Sequence, residues 1–386
     1  MTSDTGSPGP PTSDVGSARR PPPDVGSTRR PTSGLIQFAA AILISVLLVG
    51  WLLRDIGVGP VLETIRGVWV PGLLLAVAAF ALMTVARACR YWVLLEEKPA
   101  PWPLLLVTVV RGMAGDLLPA RLGTLVYVWL VTKRLRVRLD DAFASFFLAL
   151  VLDMVAIAPL LLIALAVVGL GLQSAGALAL LAGALLGISI LALALMVPSL
   201  RFAAKALEIV LPRAKRLAAL ANDTANQVTA VAARGALWPA VALSFVIRVA
   251  KFGAHYLVLQ SVLVPLGVSW GSLGVFESFL GVAGAELSSM LPIAGPGAFG
   301  TWEAAFAFGF SHLGLTFEQA VLAGFATHIL TQLHDYSLGV IALLVLWRPP
   351  RFRRPMHSGG LPGRQGDRHR PGWDPHPPGI ARQIAL

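Results

Sequence analysis

Leu291-Pro292-Ile293-Ala294-Gly295-Pro296-Gly297-Ala298-Phe299-Gly300-Thr301-Trp302-Glu303 lies inside apolar sequence, yet it holds two prolines and three glycines and ends in an acid. Proline removes a backbone donor and clashes with the preceding turn, so no continuous helix can run through this stretch. In hydrocarbon each freed N–H or C=O would cost several kcal/mol. Broken backbone survives at membrane depth only where protein or a wet cavity surrounds it. The stretch is therefore read as the tip of a broken, buried hairpin, and as the first candidate for a site.

The surrounding chain supplies the membrane. Of its 386 residues, 56% are hydrophobic and 13% charged, against about a quarter charged in soluble domains. The reading is an all-α polytopic membrane protein. Apolar runs suited to crossing about 30 Å of hydrocarbon fall at 35–53, 69–92, 142–168, 176–197, 236–264 and 318–347. Two further stretches, 102–132 and 272–315, are apolar but broken. The first contains Arg111, Asp116 and Leu118-Pro119-Ala120-Arg121-Leu122-Gly123; the second contains Glu277, Glu286 and the opening motif.

Charge placement sets the topology. Residues 1–34 are rich in Pro, Ser, Asp, Gly and Arg with an imperfect decapeptide repeat, and are expected to be a disordered cytoplasmic tail. They are expected to precede an uncleaved anchor rather than to act as a leader. If 102–132 crossed once, Lys133-Arg134-Leu135-Arg136-Val137-Arg138 would face outward, against the positive-inside rule. If it dips in and returns, that loop, the 198–235 loop and the C-terminal tail all stay inside. The same count makes 272–315 a hairpin from the opposite side. Six full spans with two re-entrant-type hairpins of opposite sense suggest an inverted repeat. Eight spans remain the alternative, with the same sidedness and both termini cytoplasmic.

The net charge of +11 gathers in two places. Residues 348–386 hold eight Arg against Asp367 and Asp374 and are read as a disordered basic tail. Residues 198–235 hold Arg201, Lys205, Arg213, Lys215, Arg216 and Arg234. They are read as an amphipathic cytoplasmic helix on the inner leaflet, with a solvated linker helix as the alternative. Both regions suit anionic lipid. Nucleic acid is excluded because no aromatic-basic module accompanies the charge. Cys89 is the sole cysteine, which excludes an internal disulfide and a cysteine metal cluster. His328 and His334 are off one helix face, so no metal site, cofactor or catalytic residue is assigned.

These residues resemble the transmembrane-domain family of lysylphosphatidylglycerol synthases, a flippase-like family also called uncharacterised membrane protein family 0104. The likeness covers roughly 35–347. It is carried by Leu291-Pro292-Ile293 with Pro296-Gly297-x-x-Gly300-x-x-Glu303, and by Leu118-Pro119-x-Arg121-x-Gly123. Arg87-x-x-Arg90 and Asp153 add weaker matches. Ala298 stands where the family has a second glycine, and one extra residue separates Ile293 from Pro296. The resemblance implies a domain that moves, or helps to move, a polar-headed lipid across the bilayer. The synthase domain of bifunctional relatives is not expected in the residues after Trp347.

Charged groups inside the membrane are costly and face a bundle interior or cavity. Ser244, Arg248, Lys251 and His255 make one polar stripe at helical spacing, and His328, Thr331, Gln332 and Asp335 make another. Read with the resemblance, they outline a groove in which a lipid phosphate meets Arg121, Arg248 or Lys251. Arg111, Asp153, Glu303 and Asp335 complete the candidate headgroup set. Pro119, Gly123, Pro292, Pro296, Gly297 and Gly300 shape the two tips. The expected ligand is a membrane phospholipid or a polyprenyl-linked lipid; protein partners are left open. Two alternatives stay beside carriage: an accessory subunit of an envelope-synthesis complex, and a membrane glycosyltransferase.

Overall fold

The computed structural model describes residues 32–118, 123, 125–169, 175–289 and 294–347. Pro119, Arg121 and Pro292, and both tails, lie outside the described residues. All regular structure among them is helical: α1 (Thr32–Leu53), α2 (Gly59–Arg66), α3 (Val70–Leu94), α4 (Pro101–Leu117), α5 (Val126–Leu135) and α6 (Leu139–Val168). There follow α7 (Ala175–Val210), α8 (Lys215–Ala233), α9 (Leu237–Leu263), α10 (Val275–Ser288), α11 (Thr301–Ser311) and α12 (Phe317–Trp347).

Helix ends follow local chemistry. Proline in the first turn opens α2, α3 and α4, where its missing N–H has no partner to lose. Gly169 in the left-handed region closes α6, as glycine commonly does. Lys98 donates to the carbonyls of Trp92, Val93 and Leu95 at the end of α3, and burial holds its pKa below the ordinary lysine value.

Five helices are long and apolar enough to cross a bilayer: α3, α6, the 186–210 part of α7, α9 with its following turn, and α12. The remaining predicted span, 35–53, is the 22-residue α1. Large apolar side chains such as Leu43, Leu74, Leu82, Ile188, Leu191 and Leu344 are exposed on these helices, which is the surface that lipid requires. Trp51, Trp69, Trp92, Trp238 and Trp347 are also exposed, as interfacial anchors are. The chain is a multi-pass membrane protein.

The two broken stretches are hairpins with short arms. α5, α10 and α11 run 10, 14 and 11 residues, each short of the about 20 needed for a span. Their packing has the pattern of an inverted repeat. α3 lies antiparallel to α9: Trp69 N donates to Ser261 O at 3.1 Å at one end, and Arg90 donates to Ser244 at 2.9 Å at the other. α4 packs on α12 as α10 packs on α6, and α4 on α5 as α10 on α11.

One expectation needs correction. The 198–235 loop is not a single helix resting on the leaflet. α7 continues through Pro198 to Val210, a short 3-10 turn at Pro212–Ala214 follows, and α8 returns. The apolar face of α8, including Ala218, Ala225, Val228 and Val231, is buried, and α8 packs on α6 and α7. Small side chains every third or fourth residue allow that close helix–helix approach, so this face is turned to protein. On α7, Gly183, Ala184 and Gly187 are exposed.

Candidate functional site

The second tip is built by glycine geometry. After Ala294, a 3-10 turn over Pro296–Ala298 leads into α11. Gly297, Ala298 and Gly300 all take positive φ, at 65°, 57° and 87°. Glycine adopts this region freely, whereas an L side chain does so at a cost of about 1–2 kcal/mol. Ala298, the departure from the family's glycine, therefore sits in a glycine conformation. A Cβ at Gly300 would lie 2.7 Å from Ser45 O of α1, so the tip and α1 touch backbone to side. At the first tip, a Cβ on Gly123 would meet Ala114 O at 1.6 Å, so only glycine fits against the end of α4.

The two tips converge on one cavity of about 160 Å³. Gly115, Asp116 and Leu118 line it from the first hairpin; Glu286, Ser289, Gly295, Gly297 and Ala298 line it from the second. α3 adds Phe80, Met83 and Arg87, α6 adds Asp153, α9 adds Arg248, Lys251 and His255, and α12 adds His328, Thr331, Gln332 and Asp335. Both polar stripes thus face inward onto the same space.

Most of the charge in this wall is matched. Asp153 is clamped between two guanidiniums: Arg90 Nη1 is 2.6 Å from Oδ1, and Arg248 Nη2 is 3.2 Å from Oδ2. Arg90 is wholly buried and also holds Ser244. Lys251 Nζ pairs with Glu286 Oε1 at 2.5 Å, with His255 Nε2 4.0 Å from the same oxygen. His334 Nδ1 reaches Asp335 Oδ1 at 2.8 Å. Buried pairs of this kind fix which helices adjoin; breaking one strands a charge.

Glu303 is placed differently from the headgroup role expected of it. It is 0% exposed and does not line the cavity. Its Oε2 accepts the Gly300 N–H at 2.6 Å, and its Oε1 accepts from His328 Nδ1 at 2.5 Å. An ionised carboxylate cannot donate, so the proton in this contact sits on His328 Nδ1, and Nε2 is turned toward Gln332. That nitrogen lies 2.9 Å from Gln332 Nε2. Glu303 is thus a lock on the start of α11, favoured there by the helix dipole, with His328 between it and the cavity. Glu277 lies in the first turn of α10 and is likewise outside the cavity wall.

Of the other sequence-predicted residues, Arg111, Asp153, Arg248, Lys251, Asp335, Pro296 and Gly297 meet at or beside the cavity. Arg121, Pro119 and Pro292 lie outside the described residues. Arg90 was noted only as a motif letter. Its spacing of three from Arg87 put it on the inward face, but its partners on α6 and α9 are distant in sequence. Glu286 was counted as an intramembrane acid without Lys251 being seen as its partner.

A comparison with protein families bears on this arrangement. The family described as Lysylphosphatidylglycerol synthase TM region matches residues 38–339. The chain belongs to that family, among membrane proteins of lipid metabolism or transport. No curated protein matches it.

Proposed function

We propose that this family member carries a polar-headed lipid, a phospholipid or a polyprenyl-linked precursor, between the leaflets of the cell membrane, with both termini cytoplasmic. We take it as a carrier, not an enzyme. The observation that supports the reading is a charged cavity inside the bundle, walled by both broken hairpins and by the inward stripes of α9 and α12. A headgroup crossing hydrocarbon loses its water and its hydrogen bonds, which is the barrier to unassisted exchange. A cavity lined by fixed ion pairs, hydroxyls and exposed backbone replaces those partners. The acyl chains can stay in the bilayer while the headgroup passes. Rocking of one half of an inverted repeat against the other would open such a cavity to each side in turn.

The test fills the cavity. Gly112 lines it, and a Cβ there meets nothing within 4 Å. In vesicles reconstituted with the full chain, a headgroup-labelled phospholipid is expected to exchange leaflets faster than in protein-free vesicles. Gly112→Trp is expected to abolish that gain while the protein stays folded. Exchange no faster than in protein-free vesicles would refute the proposal.

A further inference from the structure

Two cations in the cavity wall stand apart from the matched pairs. Arg111 is 8% exposed and, among the described residues, makes no ion pair. Its Nε lacks any hydrogen-bond partner, and its guanidinium carbon lies 5.8 Å over the ring of Tyr91. Arg87 is half-buried, and among the described residues its one hydrogen bond runs from Nη2 to the soft sulfur of Met83 at 3.4 Å. Both line the same cavity. The carboxylates beside them are engaged elsewhere: Asp153 by Arg90 and Arg248, Glu286 by Lys251, Asp335 by His334, and Asp116 also has a partner.

Cations held inside a bundle with no carboxylate in ion-pair range cost stability. A fold that places two of them in one polar cavity has left room for an anion that it does not itself supply. Guanidinium forks match tetrahedral oxyanions, donating two parallel N–H bonds to a pair of phosphate oxygens. Cation–π contact with Tyr91 fixes the plane of Arg111 without neutralising it. We infer that Arg87 and Arg111 form the seat for the phosphate of the carried ligand. This moves the phosphate from Arg248 and Lys251, whose charges are already matched within the protein. The inference rests on the reading of the cavity as a lipid path, and it adds that the headgroup is a phosphate ester.

Equilibrium binding to the purified full-length protein tests it, with three probes: dihexanoyl phosphatidylglycerol, inorganic phosphate, and dihexanoylglycerol, which lacks phosphate. The phosphatidylglycerol is expected to bind and the phosphate-free lipid not to. Arg87→Gln and Arg111→Gln should each weaken binding by about tenfold or more. Arg111→Lys should restore part of it, and Arg54→Gln, in an exposed pair with Asp55, should change nothing. Without lipid, both Gln variants should melt at the same temperature as the parent or higher, because each removes a cation that no carboxylate among the described residues contacts. A structural arginine would instead lower it. Equal affinity in parent and Gln variants, or a clear drop in melting temperature, overturns the seat. Inorganic phosphate binding as tightly as the lipid would make the occupant a free anion and overturn the lipid source. The two readings separate cleanly: Arginine-dependent binding without leaflet exchange keeps the seat and removes the carrier. Leaflet exchange with binding indifferent to both arginines does the reverse.

Discussion

α3 and α9, the antiparallel partners at the centre of the inverted repeat, each carry two cations three residues apart: Arg87 and Arg90 on one, Arg248 and Lys251 on the other. On α9 both are matched, Arg248 by Asp153 and Lys251 by Glu286. On α3 only the inner one is, since Arg90 shares Asp153 while Arg87 has a thioether. Asp153 therefore serves one cation from each half. The repeat makes two similar basic pairs, and the limited supply of nearby carboxylates makes them unequal. Symmetry of backbone does not impose symmetry of charge, and the unequal side is where an outside anion can be received.

The sharpest way to break that contrast is to remove the shared acid. Asp153→Asn leaves Arg90 and Arg248 both buried without a carboxylate, and should destabilise the protein by about 3–5 kcal/mol, read by thermal or denaturant unfolding in detergent. Arg87→Gln should cost nothing in the same assay. If the two changes cost alike, the matched and unmatched sides are not different in kind. Next in size, Glu303→Ala leaves the Gly300 N–H and His328 without their buried acceptor, and should cost about 2–3 kcal/mol. A double-mutant cycle with His328→Ala should show strong coupling, because the two groups share one contact. Additive losses would mean that the lock is not a unit.

Smaller effects probe the backbone of the tip. Gly300→Ala forces a side chain into positive φ and against Ser45, and should cost about 1–2 kcal/mol from the conformation alone. Ala298→Gly runs the other way. It relieves the left-handed alanine but loosens the unfolded chain, and a net gain of about 0.5 kcal/mol is expected. A loss on that substitution would mean that the methyl group of Ala298 contributes packing that outweighs its strain.

Much of the frame was legible because hydrocarbon imposes strict rules. The apolar runs and the proline–glycine breaks gave the helices and both broken hairpins. The stripes of α9 and α12 were legible from period alone. Pairing was not. Arg90 finds Ser244 and Asp153 only once α3, α6 and α9 are side by side, and nothing local announces that adjacency. Glu303 was read as a groove residue because an acid in an apolar stretch invites a ligand. Its position three residues past Gly300, a capping spacing, was the signal for the lock that it is. The hairpin of α7 and α8 was hidden by Pro198, which the helix tolerates.

The contact between α1 and the second tip has a practical side. Ser45 would meet any side chain placed at Gly295 or Gly300, so the opening helix acts as a clasp on a turn encoded far downstream. Trimming or re-engineering the amino-terminal region as far as Ala41 is then a change to that turn as well, and its effects should be judged there first.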